Sequence, residues 1–105
     1  MTKKKTLVLG ASPKPERYAN KAVELLRKFD HPVAAIGNKE VYIQDLKIQK
    51  GKPELHNIHT ITLYLRNTNQ KPYYDYILSL KPERIIFNPG TENPELEKNK
   101  KKNNI

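Results

Sequence analysis

The chain has 105 residues, 20 Lys plus Arg against 11 Asp plus Glu for a formal net charge of +9, and neither cysteine nor tryptophan. That length allows one domain, and 36% hydrophobic residues supply one thin core, which excludes disorder throughout. The lack of cysteine excludes a disulfide framework, a thiolate zinc site, a Cys nucleophile and a Cys-ligated iron–sulfur cluster, and fits a cytoplasmic location.

No apolar run approaches the roughly 18 residues of a membrane helix. Residues 1–6 are too charged and too short before a strand to be a signal peptide. The charge is concentrated at the ends: Lys3, Lys4 and Lys5 at one, Lys98, Lys100, Lys101 and Lys102 at the other. The body from Thr6 to Glu97 is left nearly balanced, so a nucleic-acid footprint is weak and the lysine runs read as solubilising faces or tails.

Thr6–Gly10 (TLVLG) has no polar alternation and reads as a strand buried on both faces of a parallel sheet. Ala11–Ala19 carries two prolines and reads as a loop. Asn20 is the expected N-cap of a helix in which Ala22, Val23, Leu25, Leu26 and Phe29 recur at three- and four-residue intervals. Asp30-His31-Pro32 ends it, because proline cannot continue the ladder.

Val33–Gly37 is a second buried strand, completing a right-handed crossover unit. Val41–Pro53 reads as short extended pieces or a small hairpin. Thr60–Leu65 (TITLYL), β-branched and aromatic, is a third strand. Arg66–Lys71 is a polar loop. Pro72–Leu80 then sets Tyr73, Tyr76, Ile77 and Leu80 on one helical face, as core packing rather than a base-stacking platform. Arg84–Phe87 is a fourth strand and Asn88-Pro89-Gly90 a turn. A short acidic helix starts at Thr91 or Asn93 with Pro94 in its first turn. From Lys98 a frayed Lys/Asn tail is expected. The division is a basic segment 1–5, a domain 6–97 and a tail 98–105. The fold expected is α/β: a Rossmann-like open parallel sheet in a three-layer α/β/α arrangement.

In such sheets ligands sit beyond the carboxyl ends of the strands. The loops there are Gly10-Ala11-Ser12-Pro13, Gly37-Asn38-Lys39, Arg66-Asn67-Thr68 and Asn88-Pro89-Gly90-Thr91. Small, amide-bearing and basic residues suit an anionic ligand held by backbone N–H groups and cations. Only Gly10 of the three-glycine dinucleotide fingerprint is present, and Lys39 follows strand two where an acid would bind a ribose, which argues against ordinary NAD. His31, His56 and His59 fall at the opposite end of the sheet, and no metal-ligand spacing appears. The residues read as a binder without catalytic machinery. The alternatives are an enzyme or enzyme subunit acting on a thioester or NADP-like nucleotide, and a nucleic-acid-associated protein using its basic termini.

TLVLGASPKPERYANKA, VAAIGNKE, TITLYLRNTNQ and RIIFNPGTENPEL together resemble the small stand-alone CoA-binding proteins, Rossmann-like domains similar to the CoA-binding domain of the succinyl-CoA ligase alpha chain. The resemblance covers residues 5 to about 97. It implies non-catalytic binding of CoA or acyl-CoA, without a metal. Gly10, Ala11, Ser12 and Pro13 would lie under the pyrophosphate, with Arg17, Asn20 and Lys21 near the helix start. Ile36, Gly37 and Lys39 would face the adenosine, Lys39 meeting the 3′-phosphate. Leu65, Arg66 and Asn67 would border the adenine or pantetheine channel, and Asn88, Pro89 and Gly90 would close the crevice. Two departures stand out. Asp30 replaces a glycine at the end of helix one, so its cap is expected to form differently. The family's last, Gly-initiated strand is not evident, which implies an exposed sheet edge: either a protein partner or a second copy covers it, or stability is low, or the chain is a truncated form.

Overall fold

The runs Leu7–Leu9, Ala34–Ile36 and Ile61–Leu63 are apolar on both faces or capped by threonine, and they become the centre of a six-stranded sheet. The structure is a computed structural model that describes residues 4–43 and 45–102. In chain order the elements are β1 (Lys5–Ala11), α1 (Tyr18–Lys28), β2 (Val33–Gly37), β3 (Tyr42–Ile43), β4 (Leu46–Gln49), β5 (Ile58–Leu63), α2 (Asn67–Gln70), a 3₁₀ turn (Lys71–Tyr73), α3 (Tyr74–Ser79), β6 (Arg84–Phe87) and α4 (Pro94–Lys102). Strand order is β3-β4-β2-β1-β5-β6, parallel except for the β3–β4 pair. This is an α/β Rossmann-like fold, as expected.

Each face has its own core. Val8, Ala35, Ile43 and Ile48 pack beneath Ala19 and Val23 of α1. Leu7, Leu9, Ile36, Ile61, Leu63 and Ile85 pack beneath Ile77 of α3 and Leu96 of α4, with Tyr73, Tyr74, Tyr76 and Leu80 half-buried against them. Helices on both faces give the three layers. Among the described residues no helix is long and apolar enough to cross a membrane.

Four local expectations are corrected. Residues 41–53 hold a hairpin, as one reading had it, but its second strand joins the main sheet, where Ala35 and Ile36 pair with Ile48 and Gln49. That pairing is non-local and leaves no local signature. Helix α1 starts two residues before Asn20: extended Arg17 is the N-cap, and Asn20 is buried inside the helix. Its end forms in the ordinary way rather than differently. Asp30 takes a left-handed φ of 58°, His31 N donates to Leu26 O at 2.9 Å and Asp30 N to Arg27 O at 3.0 Å, a Schellman pair. Residues 67–71 are helical rather than loop.

The expected fraying from Lys98 is also absent through Lys102, where α4 ends; residues 103–105 lie outside the described residues. Glu95 and Glu97 stand in its first turn and Lys100, Lys101 and Lys102 in its last, the arrangement that the helix dipole favours. Leu96, fully buried, anchors it to the core. At the other end, Lys5 belongs to β1, and Lys3 lies outside the described residues.

Candidate functional site

Two glycines shape the carboxyl edge of the sheet. Gly10 has φ 101° and sits where the β1–β2 register shifts between Leu9 and Ala11. This bulge reverses the alternation: Leu9 faces the α3 side while Ala11 faces the α1 side. A Cβ on Gly10 would also lie 2.9 Å from the Tyr64 carbonyl carbon. Gly37 is needed for closeness instead, since a Cβ there would fall 2.3 Å from Ala11 O.

Beyond Ala11 the chain turns tightly into α1. Lys14 N donates to Ser12 Oγ at 3.2 Å, Arg17 N to Lys14 O at 3.1 Å, and the buried Asn20 reaches back so that its Nδ2 donates to Ser12 O at 2.9 Å. Asn20 Oδ1 is buried without a partner. The start of α1 has no side-chain cap and no acid in its first turn. Such a start presents backbone N–H groups and a positive dipole end to an anion.

Around it lies a cleft of about 640 Å³ lined by Gly10, Ala11, Ser12, Pro13, Lys14, Arg17, Tyr18, Ala19, Gly37, Asn38, Lys39, Tyr64, Leu65, Arg66, Asn69, Pro89, Gly90 and Thr91. That falls in the range of about 300–1,000 Å³ typical of small-molecule sites. The lining carries the cations Lys14, Arg17, Lys39 and Arg66 and no acidic side chain. A second cavity of about 270 Å³ opens on the α3 side, lined by Leu9, Ile36 and Tyr73 and by five residues that also line the larger cleft, Gly10, Gly37, Asn38, Leu65 and Asn69.

Of the residues singled out from the sequence, Gly10, Ala11, Ser12, Pro13, Arg17, Gly37, Lys39, Leu65, Arg66, Pro89 and Gly90 line the larger cleft, and Ile36 lines the smaller cavity. Three do not line either. Asn20 is buried behind the loop. Lys21 is exposed, its Nζ 5.4 Å from the Tyr18 ring centroid. Asn88 is tied inward, its Nδ2 donating to Thr62 Oγ1 at 2.7 Å and Leu63 O at 2.8 Å. The side chain of Asn67 lies outside the described residues. Sequence reasoning missed Lys14, Tyr18, Tyr64, Asn69 and Tyr73 as lining. Lys14 and Tyr18 could have been found, since they flank residues already chosen. Asn69 and Tyr73 could not, because they enter only through the helical turn at 67–73.

The histidines serve the far end of the sheet. His59 Nε2 lies 2.8 Å from Glu83 Oε2 and its Nδ1 2.7 Å from Thr60 Oγ1. His56 is exposed beside Glu54, and His31 belongs to the α1 cap. Tyr76, also remote, donates to Pro53 O at 2.6 Å, and burial, with a smaller contribution from Tyr73, pushes its phenol above the ordinary range. No group of three or more His, Cys, Asp or Glu able to hold a metal occurs among the described residues.

The mostly parallel sheet thus carries at its carboxyl edge a bulged glycine, a close-approach glycine and an uncapped helix start beneath four cations, an arrangement suited to an anion. The chain belongs to the CoA-binding domain family, whose model matches residues 4–105. Among solved structures it is similar to an uncharacterized protein at 45% identity and a TM-score of 0.94, covering 100% of this chain and 87% of that one. A hypothetical protein of Pyrococcus horikoshii OT3 (24% identity, TM-score 0.84, 98% of this chain and 73% of that one) shares the fold. So does a protein of Thermus thermophilus (21% identity, TM-score 0.87, 98% and 79%). No curated protein matches the sequence.

Proposed function

We propose that the protein binds CoA or acyl-CoA in this cleft as a non-catalytic module. The observation that carries the reading is the lining itself: four cations, no carboxylate and the open start of α1 around one cavity of nucleotide size. The pyrophosphate lies over the Gly10–Pro13 turn at the α1 N-terminus, where backbone donors and Arg17 meet it. Lys39, at the exit of β2, takes the 3′-phosphate. The adenine enters the smaller cavity, between the apolar side chains of Leu9, Ile36 and Leu65 and the Tyr73 ring. There the carboxamides of Asn38 and Asn69 offer the donor-plus-acceptor pair that an adenine edge needs. The pantetheine arm leaves past Leu65, Arg66 and the Pro89–Thr91 wall.

Calorimetric titration with CoA, dephospho-CoA and NAD tests this. CoA should bind at least about tenfold more tightly than dephospho-CoA, the effect of one charge-assisted phosphate contact, and NAD weakest. Failure of CoA to bind overturns the proposal. Equal affinity for CoA and dephospho-CoA removes Lys39 as the 3′-phosphate partner.

A further inference from the structure

One buried carboxamide joins the two loops that bound the far side of the cleft. Gln70, at the end of α2, is fully buried. Its Nε2 donates to Leu65 O at 2.8 Å and to Thr91 O at 2.8 Å, so both of its N–H groups are used. Its Oε1 accepts from Asn93 Nδ2 at 3.0 Å. Asn93 Nδ2 also donates to Tyr74 Oη at 2.7 Å, and Asn93 Oδ1 accepts from Leu96 N at 3.2 Å, capping α4. That last bond fixes the whole assignment: a backbone N–H demands an oxygen, which orients Asn93, which in turn orients Gln70.

The two carbonyls held by Gln70 are not equally held by anything else. Leu65 lies two residues beyond β5, next to Tyr64, whose N donates to Leu9 O of β1 at 2.8 Å. Thr91 lies four residues beyond β6; its N and Oγ1 both donate to Asn88 O, at 2.9 and 2.6 Å, within its own turn. Leu65 is therefore placed by the strand ladder, whereas Thr91 is placed by its turn on Asn88 and, across the cleft's far side, by Gln70. Both line the cleft, whereas Gln70 does not.

We infer that Gln70 is a positioning residue that sets the place of the Pro89–Thr91 wall, and thereby selects ligands that carry an arm beyond the pyrophosphate. This rests on the ligand placement proposed above. Apolar replacement of Gln70 leaves the Thr91 carbonyl without its donor and the wall tied to β5 through Asn88 alone, while the adenosine end, lined from β1, β2, Leu65, Asn69 and Tyr73, keeps its lining.

The test compares CoA with adenosine 3′,5′-bisphosphate, which lacks the arm, on wild type and on Gln70→Met, a side chain of similar size without the amide. CoA affinity should fall about tenfold, the loss of one buried bond, and bisphosphate affinity should change less than about twofold. Asn93→Asp keeps the α4 cap and removes the bond to Gln70 Oε1, so it supplies a folded second variant if Gln70→Met does not fold. It should lower CoA affinity about threefold with the same selectivity. Equal losses for both ligands, or no loss for either in the folded variants, overturn the inference while the proposed function stands. If wild type binds neither ligand, the proposed function falls and this inference with it.

Discussion

The two walls of the cleft are built on opposite plans. On the β1–α1 side, position comes mainly from the backbone: a bulge at Gly10, the approach of Gly37 to Ala11 O, and a turn through Ser12 and Lys14 that the Asn20 carboxamide braces from behind. The side chains there are free to point cations outward. On the β6–α4 side the backbone makes one left-handed turn, at Gly90 (φ 90°), but no close approach, and position comes from three carboxamides, Gln70, Asn88 and Asn93. A backbone-built wall tolerates side-chain change but not the loss of a glycine. The amide-built wall has no such close approach, since nothing lies within 4 Å of a Cβ built on Gly90, and it depends on its carboxamides instead.

The sharpest way to break the first wall is Gly37→Ala. Its Cβ would meet Ala11 O at 2.3 Å and Ile48 Cγ2 at 2.9 Å, with no flexible group on the carbonyl side to move away. Urea unfolding should show a loss of about 3 kcal/mol or more. On the second wall, Asn88→Ala should cost about 2 kcal/mol in the same measurement, because it removes two bonds and leaves the Thr62 hydroxyl and the Leu63 carbonyl each one donor short.

Lys39→Ala should separate affinity from stability: CoA binding weakens by about 1.5 kcal/mol, while the melting temperature stays put because the side chain is exposed. A comparable loss of both would show that Lys39 supports the wall rather than the ligand. Asp30→Gly works in the opposite direction. It relieves a non-glycine residue of φ 58° at the α1 cap and should stabilise by about 0.5 kcal/mol.

The smallest effect is expected away from both walls, at the Arg27–Asp45 pair. The hydrogen bond from Arg27 holds the Asp45 carboxyl below the usual carboxylate range and raises Arg27 in return. The folded value is depressed, so the contribution is fully present above the ordinary value of about 3.9 and is lost as pH falls through the lowered one. The stability gap between wild type and Asp45→Asn should be constant from neutral pH to about pH 5 and close in stronger acid. A gap unchanged at pH 2 would mean that the ionised carboxylate is not its source.

The legibility of the site follows the same division. Gly10, Pro13, Gly37 and Lys39 could be read from the chain because glycine at the end of an apolar run marks a turn or a close approach, and lysine where a ribose-binding acid would stand is a local departure. Gln70 carried no such mark, and Asn93 was legible only as one of two candidate starts of the last helix, not as the partner of Gln70. A carboxamide in a polar run such as Arg66–Lys71 reads as loop, whereas Asn67–Gln70 is helical. Asn20 shows the same difficulty from the other side: its type suggested an N-cap, yet its amide is used eight residues back on Ser12 O. The place of β4 was equally hidden, because a four-residue strand with one buried side chain pairs with β2 only through contacts distant in sequence.

By itself the sequence determined the α/β class, the central strands, the α1 face and the end of the sheet at which ligand chemistry collects. Those depend on periodicity and on glycine and proline, whose effects act within a few residues. Only the tertiary structure decided which polar groups face the cleft and which hold it. Burial converts a carboxamide from a solvated side chain into a strut, and burial is set by residues brought together from β5, α2 and the loop after β6.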